Sequence, residues 1–217
     1  MLKVEQWLRR HPLMGTILCL IITVCLLRTL RLAAEGSALS PNLVASLIRY
    51  SVAALLITLM IKLNWAKDAG ITLPVRAWHK HWWRVMIPML LIGLINLVGT
   101  DWSSAQFTAL NTTMWIAENF GVGLFEETLL RGVCFYILLQ AWQHQPGGIY
   151  KAAIVQGLLF GLLHLLNLAD NPLQDTVIQV IYATLLGIGF AGLTAYTRSI
   201  WPGIIIHTFI DLMGSTD

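Results

Sequence analysis

The sequence predicts an all-α protein, a polytopic membrane bundle of about seven transmembrane helices, and three observations carry that prediction. Of its 217 residues, 57% are hydrophobic and 12% are charged, about half the charged fraction of a soluble globule. The apolar residues gather into runs of the length that crosses a bilayer, about 17 to 25 residues each. Proline and tryptophan mark the ends of those runs, where a missing N–H does least harm and an amphipathic ring meets the headgroups.

The runs cover residues 13–33, 43–63, 84–100, 114–140, 151–168, 176–196 and 199–214. Pro12 and Pro41 precede the first two, Pro74 falls in the loop after the second, and Pro146, Pro172 and Pro202 stand at the edges of the last three. Pro88 alone lies inside a run, the third, and is expected to kink it. Trp65, Trp82, Trp83, Trp102, Trp115, Trp142 and Trp201 all fall near predicted boundaries. The first run resembles a signal peptide ending near Ala33 and Ala34, but Arg28 and Arg31 interrupt the path to cleavage, so an uncleaved anchor is expected. Residues 64–83, rich in Lys, His and Trp, read as a basic interfacial loop or short amphipathic helix. No soluble domain, low-complexity tract or internal repeat is evident.

Orientation follows from the cations. With the N-terminus in the cytoplasm, Lys3, Arg9, Arg10, Lys62, Lys67, Arg76, Lys80, Arg84, Lys151 and Arg198 lie inside, and only Arg28 and Arg31 lie outside. Asp101, Asp170, Asp175 and Asp217 then face out. The net charge of +3 says little by itself, and nothing resembles a nucleic-acid surface. Cys19, Cys25 and Cys134 are odd in number and form no C-x-x-C, so they read as small buried hydrophobes.

The chemistry must come from the few ionisable groups inside the runs, which cost several kcal/mol each and so mark sites or tight structural bridges. Glu126 and Glu127 are adjacent in the fourth run, with Arg131 following. Glu127 and Arg131 are one helical turn apart, acid first, the better order for an intrahelical ion pair. Glu126 projects about 100° away and escapes that pairing. It is left beside a masked charge in a poorly solvated place, where an acid is tuned towards general-base duty. As a cluster that only glues helices, the same three residues would need no catalyst among them.

Of the histidines, His11, His79, His81 and His144 belong to loops or interfaces, whereas His164 and His207 lie within runs. Gly157, Gly161 and His164 share one helical face, whose small residues permit close helix packing. Gly203, His207 and Asp211 recur every four residues on the seventh run and place an imidazole and a carboxyl together. At about 1.5 Å per residue, Glu126, His164, His207 and Asp211 fall at similar depths, which suggests a common cavity.

The motifs E-E-T-L-L-R from Glu126 to Arg131, F-G-L-L-H from Phe160 to His164, and H-T-F-I-D from His207 to Asp211 occur in order on separate runs. In this the chain resembles the CPBP (Abi) family of intramembrane proteases, which includes CAAX prenyl proteases and bacteriocin-processing enzymes. The resemblance divides the chain into residues 1–113, N-terminal helices with the basic loop, and residues 114–217, a catalytic helix core within one membrane domain. It implies that Glu126 and His164 hold and activate the attacking water, and that His207 and Asp211 stabilise the oxyanion. Glu127 and Arg131 match the structural half of the first motif, and Phe160 matches the aromatic that opens the second, for which core packing is the simpler role.

These readings converge on an endopeptidase that hydrolyses a peptide bond in a membrane-associated or lipidated substrate. No cofactor is expected, since H-E-x-x-H is missing; a zinc-dependent variant would draw on Glu126, His164 and His207. The expected partners are the peptide or protein substrate and the lipid bilayer, in a bacterial cytoplasmic membrane, with no nucleic acid. Proton-coupled transport would also use midplane acids and histidines but usually brings paired repeats. A catalytically silent scaffold remains the other alternative. A thiol protease built on Cys134 lacks anything to ionise the sulfur.

Overall fold

The computed structural model describes residues 3–72, 75, 78–103, 105 and 107–215; Pro74, Arg76 and Asp217, assigned above to loop ends, lie outside them. Among the described residues every regular element is helical. A short α1 (Lys3–Arg10) leads into α2 (Pro12–Ala33), then α3 (Pro41–Lys62) and α4 (Trp82–Gly99). Next, α5 (Ala109–Glu127) runs through a π-helical stretch (Thr128–Phe135) into α6 (Tyr136–Trp142). The chain ends with α7 (Gly148–Leu163), a 3-10 tail (His164–Ala169), α8 (Leu173–Thr197) and α9 (Trp201–Gly214).

Local chemistry sets many of these boundaries. Pro12, Pro41 and Pro202 each occupy a first helical turn, where no N–H is needed. Ser40 caps α3 by accepting from Leu43 N, and Thr108 caps α5 by accepting from Asn111 N. Pro88 lies inside α4, which continues past it to Gly99.

Five helical segments are long and apolar enough to cross a membrane: Pro12–Ala33, Pro41–Lys62, Trp82–Gly99, Gly148–Ala169 and Leu173–Thr197. Only 17% to 39% of their most apolar windows is buried inside the protein, so most of that apolar surface faces outward, as in a bilayer-embedded bundle. Val98, 87% exposed, and Ile95, 69% exposed, show the pattern on α4. The fourth and seventh predicted runs do not meet the same standard. The seventh is a helix of 14 residues, about 21 Å long at 1.5 Å per residue and short of a ~30 Å hydrocarbon core. These two segments carry Glu126, Glu127, Arg131, His207 and Asp211, and in α5 the polar residues lower the hydropathy.

Packing places them centrally. Helix α9 lies against α4 and α5, α5 also packs on α3, and α8 packs on α7, α4 and α9. One apolar cluster joins α3, the π stretch and α6, including Met60, Leu130 and Ile137. A second joins α4, α8 and α9 through Met89, Phe190 and Ile206. The polar residues occupy the seam between them.

The segment after α3 is packed onto the bundle over its described first part, where Trp65, Ala66, Ala69 and Ile71 are buried. Trp65 packs its ring 5.2 Å from that of Tyr136 and donates Nε1–H to Glu5 at 2.9 Å. The same segment fixes the start of α9: Ile200 N donates to Gly70 O, and Trp201 Nε1 donates to Ile71 O at 2.8 Å. Of the cysteines, Cys134 is buried and Cys19 half-buried, whereas Cys25 is exposed on the outward side of α2.

Candidate active site

Close helix approach builds the site. A Cβ on Gly123 of α5 would come within 2.7 Å of Thr208 Oγ1 of α9, and one on Gly203 of α9 within 2.8 Å of Glu127 Oε2. Glycine at both positions therefore lets the two helices touch, and the Glu126–Glu127 pair comes to lie beside His207. Gly157 and Gly161 do the same between α7 and α8, where a Cβ on Gly157 would meet Ile188 N at 2.8 Å. Their service is packing, as their spacing suggested.

The buried half of the first motif is an ion pair. Arg131 Nη1 donates to Glu127 Oε1 at 2.7 Å, with both side chains fully enclosed. The guanidinium lies between two aromatic rings, 5.0 Å from the centroid of Phe160 and 4.8 Å from that of Phe190. Such faces favour a desolvated cation. Phe160 thus serves packing and also covers a charge.

The spacing of the acids did not disclose what else Glu127 does. Its Oε1 also lies 2.9 Å from His207 Nδ1. Since the carboxylate only accepts, Nδ1 carries the proton in that bond. The imidazole is stacked on Phe190, with centroids 5.1 Å apart and planes 21° apart. Arg131, Glu127 and His207 therefore form one chain of contacts across 80 residues of sequence, and the ring is locked in position and tautomer.

The other ring nitrogen faces the site. His207 Nε2 is 3.6 Å from Glu126 Oε2 and 3.6 Å from Asp211 Oδ2. Both acids keep 27% of their side chains exposed, so Glu126 is less enclosed than the sequence implies. They open on a cavity of about 420 Å³ that is also lined by His164, Phe160, Asn119 and Tyr182. His164 reaches it from the first residue of the 3-10 tail, not from the body of α7, and its Nδ1 is 3.0 Å from Phe160 O. As the carbonyl accepts, this leaves Nε2 unprotonated in the neutral ring and available to a water or substrate proton. Among the described residues His164 makes no direct hydrogen bond or ion pair with Glu126.

All four candidates, Glu126, His164, His207 and Asp211, therefore line a single cavity, while Glu127 and Arg131 support it from behind. Among the described residues, no three His, Cys, Asp or Glu side chains are grouped so as to hold a metal ion. The alternative set of Glu126, His164 and His207 shares the cavity without that convergence. Sequence reasoning missed Asn96, Asn119, Gln179 and Tyr182, which add amides and a phenol to the lining. Their signal was faint, a few neutral polar residues within apolar runs.

The π-helical stretch begins directly after Glu127, and every residue in it is buried. Such turns widen the helix and are frequent at functional sites. The simple 100° periodicity used for the fourth run therefore gives way at Thr128, inside the Glu126–Arg131 motif.

Residues 107–213, which include all of these positions, match the family model described as type II CAAX prenyl endopeptidase, Rce1-like. Comparison with curated proteins and with solved structures found no match. With three motifs in order on helices that converge on one cavity, this chain belongs to the CPBP family of CAAX-type intramembrane proteases.

Proposed function

We propose that the protein hydrolyses a peptide bond of a membrane-associated or lipidated substrate by means of a water activated by Glu126. The observation that carries this reading is the placement of Glu126, His164, His207 and Asp211 around a single cavity of about 420 Å³ in an apolar bundle. Glu126 takes the proton of a water held between it and His164 Nε2, and the resulting hydroxide adds to the scissile carbonyl carbon. The proton then passes to the departing amine as the C–N bond breaks. His207 Nε2 and Asp211 lie where donors to the developing oxyanion are needed.

Glu127 sets the form of His207. With Nδ1–H given to Glu127, Nε2 donates only when the ring is an imidazolium, with three carboxylates beside it as counter-ions. A neutral ring instead presents a lone pair, and the oxyanion must then be met by a protonated Asp211. Either way Glu127 is a positioning residue rather than a spectator. The test of function is comparative membrane proteomics of wild type against Glu126→Gln. The reading requires at least one peptide whose cleavage disappears in the variant, and identical cleavage patterns would refute it.

The mechanism proposed needs no metal. Activity should survive prolonged chelation and gain nothing from added zinc. Loss on stripping, recovery on readdition and stoichiometric metal in the active protein would replace Glu126 as sole activator.

The cation distribution further supports a cytoplasmic N-terminus. Single cysteines at Trp102 and Asp170 should then react with an impermeant reagent applied to the outer face, and cysteines at Lys80 and Lys151 should not. The reverse labelling pattern would invert the topology.

A further inference from the structure

Beside its ionisable groups, the active-site cavity is lined by neutral amides from three different helices: Asn96 of α4, Asn119 of α5 and Gln179 of α8. Each is placed relative to a different candidate catalytic residue. Asn119 lies two turns before Glu126 on the same face of α5, ~10 Å away at 1.5 Å per residue. Asn96 Nδ2 donates at 3.2 Å to the carbonyl of Ile210, the residue before Asp211. Gln179 Oε1 accepts from Asn167 Nδ2 at 2.8 Å, and Asn167 follows His164 by one turn of the 3-10 tail.

Each amide is anchored at one end and open at the other. Asn119 Nδ2 donates to Trp115 O at 2.9 Å. Backbone carbonyls only accept, so in both asparagines the nitrogen is the anchored end and Oδ1 is left free. Gln179 is held the other way round, by its oxygen, which frees Nε2. Asn96 Oδ1, Asn119 Oδ1 and Gln179 Nε2 have no hydrogen-bond partner among the described residues, and unlike Glu127 Oε2 or Arg131 Nε they are not sealed off. The three side chains therefore offer two uncharged acceptors and one uncharged donor group to whatever fills the cavity. A peptide backbone presents the complement, an N–H and a C=O at each residue whatever the side chain. Those groups need partners at this depth. A segment extended for cleavage inside an apolar bundle has lost its water and cannot satisfy its own backbone as a helix does.

We propose that Asn96, Asn119 and Gln179 hold the extended backbone of the substrate beside its scissile bond, the asparagine oxygens accepting from backbone N–H groups and Gln179 donating to a backbone carbonyl. The inference rests on the protease reading above and adds the manner of recognition to it. The segment flanking the cut is read by its peptide groups, so side chains there vary freely, whereas proline, which has no N–H, is rejected opposite either asparagine.

The test uses the peptide whose cleavage Glu126→Gln abolishes, synthesised with one backbone amide at a time replaced by an ester and the scissile bond left intact. An ester removes the N–H and weakens the adjoining carbonyl as an acceptor, with little change of shape. For the full chain in detergent, kcat/KM should fall about tenfold at the bonds that meet these amides, the scale of one hydrogen bond, and stay unchanged elsewhere. Three variants assign the positions. Asn119→Thr keeps a donor for the Trp115 carbonyl, as Thr184 and Thr208 donate to the carbonyl one turn back, but removes the free oxygen. Gln179→Glu keeps the acceptor for Asn167 and removes the donor, and Asn96→Leu removes both ends. Each should lose about tenfold on the all-amide peptide. Unlike a variant that merely disturbs the fold, each should also become insensitive to the ester at its own position alone. An ester scan without a sensitive position, or ester effects that none of the variants removes, would overturn the inference and leave Glu126-dependent cleavage standing. Failure to find any Glu126-dependent peptide would refute the protease reading itself, and this inference with it.

Discussion

Glu126→Gln should abolish turnover while leaving expression and thermal unfolding in detergent nearly unchanged, and Glu127→Gln should do the opposite to stability. The amide at 126 keeps the volume but cannot take a proton from water. Its site tolerates the change because the side chain is 27% exposed to the cavity and makes only a 3.6 Å contact with His207. Position 127 is different, with a carboxylate fully enclosed and one oxygen serving both Arg131 and His207. Neutralising it strands a buried guanidinium, a loss on the scale of a broken buried pair, about 3 to 5 kcal/mol. Turnover of a substrate peptide alongside thermal unfolding followed by tryptophan fluorescence separates the two. A stable Glu127→Gln protein together with an unfolded Glu126→Gln protein would reverse the assignment of catalytic and supporting acid.

The contrast between those two acids also shows what the sequence could disclose. Local periodicity was enough for the Glu127–Arg131 pair, because partners four apart on a helix have little choice but to meet. It was enough as well to place His207 and Asp211 together on one turn of α9. What it could not supply was the 2.9 Å contact between Glu127 and His207, which depends on how closely α5 and α9 approach. Gly123 and Gly203 make that approach possible, yet a glycine in an apolar run carries no label naming the helix it will touch. The π-helical turn was hidden for a related reason. Its residues, Thr128–Phe135, have the composition of an ordinary apolar helix, and only packing from all sides stabilises the wider turn. Composition was silent, too, on how the segment after α3 packs, since Trp65 and Ile71 are buried by tertiary contacts that no local pattern announces. Span counting was weakest on the helices that matter most, α5 because the polar residues that make a site also lower its hydropathy, and α9 because its helix is only 14 residues long.

Asp211→Ala should lose roughly 10² to 10³ in turnover, the effect of deleting an oxyanion donor, whereas Asp211→Asn should retain substantial activity. An ionised carboxylate beside a developing oxyanion would repel it, so Asp211 must help in another way. Its Oδ2 lies 3.6 Å from His207 Nε2, close enough to serve as counter-ion to a donating imidazolium. Alternatively it is itself protonated and donates directly. Asn supports the second role without any proton equilibrium and keeps a polar group of the same size for the first. The pH profile distinguishes them. If protonated Asp211 is the donor, the wild-type rate falls as the acid loses its proton at high pH, and Asn flattens that limb. If His207 is the donor, the limb reports loss of the imidazolium proton and persists in Asp211→Asn, shifted to lower pH because a neutral amide no longer favours the cation. The three carboxylates around the ring favour the second pattern, since Glu127 at Nδ1 with Glu126 and Asp211 near Nε2 are counter-ions to the imidazolium, the one form with an Nε2–H to offer once Nδ1–H is committed. A folded Asp211→Ala protein as active as wild type on its native substrate would remove Asp211 from the site and leave the oxyanion to His207 alone.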